Sequence, residues 1–214
     1  MISQEELEAD SQVRSFETHA RASRQESWRV FCAIDLAVSV RTRLMGQIKR
    51  LRESAPHAQA SWSREENIHL TLKFLGEIET SRLDSLSNAA ACAVAYLRGF
   101  QITIEEPGVF PRHGTPRVLW IGVKDKLGKL AELQARLENE CAKQGFTREE
   151  RPFHPHFTLA RLRKPQGTRE LALAHKKLHF EPIEVIVSEL LVIRSELSST
   201  GSRYMVISRH RVET

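Results

Sequence analysis

A four-residue pattern, His-x-Thr-x, occurs twice in the chain: His69-Leu70-Thr71-Leu72 and, 87 residues later, His156-Phe157-Thr158-Leu159. Both copies alternate polar and apolar residues, the period of a strand with one face buried. His69 and Thr71 share one face, and Leu70 and Leu72 take the other. His156 and Thr158 pair in the same way, with Phe157 and Leu159 turned inward. A stretch with helical spacing follows each copy. This long-range echo of strand and helix restricts the chain to two related lobes. Each lobe presents one imidazole and one hydroxyl from an apolar anchor, and a strand positions such groups more rigidly than a loop.

The rest of the pattern is mixed. Trp28 to Leu36 is a short apolar run suited to a buried strand, and Val38 to Glu53 has helical spacing. Asn67 to Gly76 alternates as a strand. Thr80 to Arg98 is an Ala- and Leu-rich helix with Thr80 or Ser81 as N-cap. Phe100 to Glu105 and Arg117 to Val123 are strands joined by a Pro- and Gly-containing loop. Lys126 to Gln144 is an amphipathic helix closed by Gly145. Phe157 to Leu162 is a strand and Thr168 to Leu178 a short helix. Ile183 to Arg194 and Arg203 to Arg209 are strands separated by a Ser/Gly turn, which suggests a hairpin. Helices between strands, with hairpins later, point to an α+β fold rather than a doubly wound sheet. Residues 1–27 are rich in Glu, Arg, Gln and Ser and are expected to be a flexible extension; residues 28–214 form the domain.

Composition narrows the class. Hydrophobic residues make up 41% and charged residues 28% of the 214, as in ordinary globular proteins. No apolar run approaches the ~20 residues of a membrane helix, and the opening MISQEELEAD has no signal-like apolar core. Cys32, Cys92 and Cys141 are odd in number and widely spaced, which argues against a disulfide framework or a metal box. A cytoplasmic protein without a membrane partner is expected. The net charge of +5 favours an anionic ligand.

A pair of imidazoles suits the opening of a cyclic phosphodiester. The reaction needs a base to activate water and an acid to protonate the departing ribose oxygen, and histidine serves either role near neutral pH. Threonine hydroxyls can donate to the non-bridging oxygens. The scheme calls for no metal and no cofactor.

NIHLTLKFLGEI and RPFHPHFTLARLR resemble the two signature segments of the two-histidine phosphoesterases. Within them the chain is most similar to the RNA 2′,3′-cyclic phosphodiesterases, formerly called LigT-type or 2′-5′ RNA ligases. The resemblance runs from about Trp28 to the C-terminus. It takes in Phe31 and Asp35, the segment Gly108 to Pro111, Val118 to Trp120, Ser195-Glu196-Leu197, Gly201 and Tyr204. It implies a bilobal fold, two lobes with antiparallel sheets related by a pseudo-twofold axis across a central groove. The implied reaction converts RNA 2′,3′-cyclic phosphate ends to 2′-phosphomonoesters, with 2′-5′ joining in vitro. By motif position His69 is the proton donor and His156 the acceptor, and Thr71 and Thr158 bind phosphate. The nearly symmetric site allows the reverse division of roles. Alternatives are a phosphodiesterase for a small cyclic nucleotide or ADP-ribose cyclic phosphate, and a non-catalytic RNA-binding module. A monomer is the default.

Five other residues carry expectations. The family pattern implies that Arg161 supports the phosphate or the fold nearby, yet strict alternation turns it away from His156 unless the strand bulges. His154 adds a third imidazole before Pro155. Lys73 falls on the motif face, with solvation at the strand end favoured over phosphate steering. His175 and His179, one helical turn apart, read as a solvated face rather than a metal pair.

Overall fold

The computed structural model describes residues 26–163, 165–198 and 201–213. The first 25 residues of the expected extension lie outside that set. Strand β1 (Ser27–Ile34) opens the fold and is buried from Val30 to Ile34. Helix α1 (Val38–Ser54) buries Val40, Leu44, Gln47, Ile48 and Leu51, a single face at spacings of three and four. A short strand β2 (Ala60–Trp62), which the sequence pattern does not suggest, precedes β3 (Leu70–Glu79).

Helix α2 (Leu83–Val94) follows a single 3₁₀ turn at Thr80–Arg82. Its N-cap is therefore Arg82, without a side-chain cap bond, and neither Thr80 nor Ser81 takes that place. Strand β4 (Phe100–Phe110) extends into the segment expected as a loop, and residues 111–117 form the remaining connection. The register against β5 (Val118–Lys124) skips from Glu105 to Pro107. That bulge absorbs the proline, which lacks a ladder donor.

Helix α3 (Lys129–Lys143) ends as its sequence demands. Gly145 takes φ 75°, its N–H donates to Ala142, and the Phe146 N–H donates to Cys141. Those bonds form a Schellman motif that satisfies the last carbonyls. Strand β6 (His156–Leu162) and helix α4 (Thr168–Lys177) follow. The single strand expected over 183–194 is two: β7 (Ile183–Val187) and β8 (Glu189–Ser198), broken at Ser188. They belong to different sheets, and periodicity within one run carries no sign of that crossing. Strand β9 (Gly201–Arg211) pairs with β8 as the expected hairpin.

Two antiparallel sheets result, ordered β3-β1-β8-β9 and β2-β6-β5-β4-β7. Apart from the added β2, they match strand for strand: a histidine strand, the strand that precedes it in its repeat, then two more. Helices α2 and α3 pack together against the first sheet, and α1 and α4 pack together with α4 on the second. One continuous apolar core fills the space between sheets and helices. A smaller cluster of Phe31, Ala33, Leu191 and Ile193, with Tyr204 against it, covers the other face of the first sheet. The expected bilobal α+β architecture is the one observed.

Candidate active site

His69 immediately precedes β3, and His156 is the first residue of β6. Both rings are anchored by one device. The Nδ1 of His69 lies 2.8 Å from the carbonyl oxygen of Asn67, and the Nδ1 of His156 lies 2.7 Å from that of His154. A carbonyl only accepts, so each Nδ1 carries a hydrogen and donates it. The Nε2 atoms are left as the proton-accepting or proton-donating positions. Asn67 is held in turn, its Nδ2 donating to the Ser202 carbonyl at 2.9 Å.

Aromatic rings flank each imidazole. Phe31 stacks on His69 at 4.6 Å between centroids, and Tyr204 meets both rings edge-on at 5.1 Å. On the other lobe Phe110 meets His156 edge-on at 5.1 Å, with Trp120 at 6.0 Å. These apolar walls shape the electrostatics. Burial pulls His69 from the ordinary 6.5 down to about 4, against the opposing influence of its Asn67 bond and of Asp35. Burial also lowers His156, again against its backbone bond. Asp35 is paired with Arg41.

Both histidine strands bulge one residue after the threonine. In β3, Thr71 faces Ala33 and Lys73 faces Cys32, so Leu72 is the extra residue. In β6, Thr158 faces Trp120 and Ala160 faces Leu119, so Leu159 is extra. Each bulge reverses the alternation that follows it. Arg161 therefore lies opposite Val118, on the side of Trp120, Thr158 and His156. Its positive charge lowers the proton affinity of both His69 and His156, a smaller influence than burial. The strand bulges there, and Arg161 lies on the face of His156 that strict alternation denies it.

The same reversal corrects the expectation for Lys73, which is neither on the motif face nor solvated. It is 3% exposed. Its Nζ donates to Glu138 Oε2 at 2.7 Å and to the Thr147 carbonyl at 2.8 Å. Thr71 and Thr158 are half-buried beside their histidines. Ser63 fastens the second motif, its Oγ donating to the Thr158 carbonyl at 2.7 Å and its N–H to the Leu159 carbonyl at 2.9 Å.

The His175 and His179 pair does not share a solvated face. His175 is fully buried and its Nε2 lies 2.9 Å from the Trp120 carbonyl, which supports the strand beside His156. His179 is exposed and lies 2.7 Å from Glu181. His154 serves through its carbonyl, and its ring stands 6.3 Å from Phe110. Sequence reasoning misses these supports, although the shared i−2 anchor is a repeat as regular as the motif. Among the described residues no group of three or more His, Cys, Asp or Glu side chains is arranged to hold a metal ion, and no helix is long and apolar enough to cross a membrane.

His156 lines one cleft, and Asn67 and Tyr204, which hold His69, line another. The first, of about 360 Å³, is lined by Glu106, Phe110, Arg112, Trp120 and His154 among others. The second is a groove of about 910 Å³ that also includes Arg29, Arg64, Arg194 and Arg203.

Two matched sheets, each delivering a histidine and a threonine on a bulged strand, describe a two-histidine α+β protein. The sequence model of the 2′-5′ RNA ligase superfamily matches residues 40–198, and the chain belongs to that family. It is 34% identical over 179 residues to a Thermotoga maritima protein named RNA 2′,3′-cyclic phosphodiesterase, covering 84% of this chain and 92% of that protein. An Escherichia coli protein of the same name is 34% identical over 138 residues, 64% of this chain and 73% of its own. Among solved structures, TT0787 of Thermus thermophilus superposes with a TM-score of 0.71 at 25% identity, covering 86% of this chain and 97% of that one. Escherichia coli LigT complexed with 3′-AMP gives 0.69 at 27% identity, with 88% and 100% covered.

Proposed function

We propose that this chain hydrolyses RNA 2′,3′-cyclic phosphate ends to 2′-phosphomonoesters by metal-independent acid–base catalysis. The observation that carries the proposal is the pair of matched Nδ1 anchors, which leave two Nε2 atoms available within the field of one arginine. The relatives named RNA 2′,3′-cyclic phosphodiesterase add support.

In the proposed reaction the Nε2 of His156 takes a proton from water as its oxygen bonds to phosphorus. The bond from phosphorus to the 3′ oxygen breaks, and the Nε2–H of His69 delivers a proton to that oxygen. Arg161, Thr71 and Thr158 hold the non-bridging oxygens. Burial keeps His69 neutral before substrate binds. The anionic phosphate beside it restores its proton affinity, so the donor is charged only when substrate is present. A 5′-hydroxyl in place of water would form a 2′-5′ linkage by the same route. Both histidines come from one chain, so a monomer is a complete catalyst, and the three free thiols suit a reducing cytoplasm.

The test is an oligonucleotide with a 2′,3′-cyclic phosphate end, incubated in EDTA. A 2′-phosphorylated product is expected. Activity that dies with chelation would sink the metal-free scheme. His69→Ala and His156→Ala should each lower the rate by roughly 10²–10⁴-fold. An activated aryl 2′-phosphodiester, whose leaving group needs no proton, should rescue only the variant that lacks the donor. Rescue of His156→Ala instead would reverse the two roles.

A further inference from the structure

Glu106 is the residue that the β4 bulge pushes out, and it has a positive φ of 65°. An L side chain adopts that backbone reluctantly, and glycine is the residue that takes it freely. Here a glutamate occupies it, exposed, on the wall of the cleft beside His156. The neighbouring Glu105 is engaged with Lys124 at 3.0 Å. Glu106 therefore lines the cleft as a second carboxylate, on a wall that also carries Arg112 and Lys124.

The cleft has the dimensions and walls of a pocket for a flat ring. Phe110 and Trp120 lie 5.0 Å apart at 36°, and the His154 ring stands 6.3 Å from Phe110. Gly122, the Cα partner of His156, contributes no side chain. A Cβ there would stand 3.1 Å from both the Glu105 carbonyl and the Trp120 ring. The volume of about 360 Å³ lies in the range of small-ligand pockets. The groove past Asn67 and Tyr204 is larger and is lined by four arginines together with Glu66, Glu77 and Glu196, the last paired with Arg194 at 2.8 Å.

We propose that the cleft beside His156 is a nucleobase subsite, and that Glu106 makes it select guanine. A carboxylate offers two acceptors and no donor. Guanine presents two adjacent donors on its Watson–Crick edge, N1–H and the N2 amino group, which one carboxylate can accept together. Adenine and cytosine place a ring acceptor beside their amino group, and uracil flanks its single N–H with two carbonyls. Each would turn an acceptor toward Glu106. This inference rests on the proposed cyclic-phosphate reaction for its substrate, and adds the identity of the last base.

The experiment compares kcat/KM for 2′,3′-cyclic GMP, IMP, AMP, CMP and UMP, and separately the binding of 2′-GMP and 2′-AMP by calorimetry. The expected result is a preference for guanine of roughly tenfold or more over the other bases, with hypoxanthine, which lacks the N2 amino group, in between. Glu106→Gln and Glu106→Gly keep every residue of the proposed chemistry, and Gly suits the backbone. Both should bring the preference to within about threefold. Equal turnover of all bases by the native protein would overturn the inference and leave the proposed reaction standing. So would a guanine preference that survives both substitutions. If no cyclic nucleotide is turned over, the reaction fails and calorimetry decides the subsite. Equal affinities overturn it, and a 2′-GMP preference abolished by Glu106→Gln upholds it.

Discussion

The ammonium of Lys73 lies 2.7 Å from the carboxylate of Glu138, inside the core behind the first histidine strand. Their side chains are 1% and 10% exposed. Removing one partner strands a buried charge, which costs about 3–5 kcal/mol, whereas replacing both by apolar groups is often neutral. Lys73→Met should therefore lower the urea midpoint sharply. The double change Lys73→Met with Glu138→Leu should recover most of the loss. A double variant no more stable than the single would show that the pair does not act as a unit.

The histidine environment sets a pH dependence of stability. The unfolded chain protonates His69 near 6.5, and the folded one only near 4. Above the first value neither state carries the proton, so full stability is present. As pH falls, the unfolded chain binds a proton that the fold rejects, and stability declines until the pH is below the folded value. At about 1.4 kcal/mol per unit, the full loss attributable to His69 comes to about 3.5 kcal/mol. Denaturant titrations at pH 7.5 and 4.5 should show most of this drop, and His69→Asn should flatten it. Saturating phosphate should offset part of it, because the anion favours the charged ring.

Arg161 connects activity to proton affinity. Its positive charge holds both imidazoles down. Arg161→Ala should lower kcat/KM by roughly 10²–10³-fold through lost stabilisation of the phosphate oxygens. It should also move the bell-shaped pH profile of kcat/KM toward alkaline pH, since both free-enzyme values rise. A fall in rate with an unmoved profile would mean that the guanidinium is remote from the two rings.

Gly108 is a tight packing position. A Cβ built there would stand 2.1 Å from the Trp120 ring, which in turn lies near His156. Gly108→Ala should displace the indole and cost about 1–3 kcal/mol, as overpacked sites do. Intrinsic tryptophan fluorescence and a urea titration measure the two effects.

Much of the fold is legible in the sequence because it is written locally. The face of α1, the Gly145 cap and the alternation of the two motifs each depend on a few neighbouring residues. The placement of the histidines and threonines follows from alternation alone. What alternation misses, it misses for one reason. A bulge depends on the register of the partner strand, and β1 and β5 set the breaks at Leu72 and Leu159. Alternation by itself therefore makes Lys73 a surface group and leaves two placements open for Arg161. The division of the 183–194 run at Ser188, and the burial of His175 beneath Trp120, depend on elements far away in sequence.

The pairing of β1 with β8, and of β8 with β9, has a consequence for biosynthesis. Tyr204, which closes over His69, is contributed by β9, while Phe31, beneath the same ring, sits on β1. A nascent chain exposes β1 and β3 long before β8 and β9 leave the ribosome. Their sheet edge has to wait for nearly the whole polypeptide, and such long-range closure is slow. The imidazole that appears first in the sequence is thus among the last groups to gain its finished surroundings, so truncated translation products should lack an assembled centre.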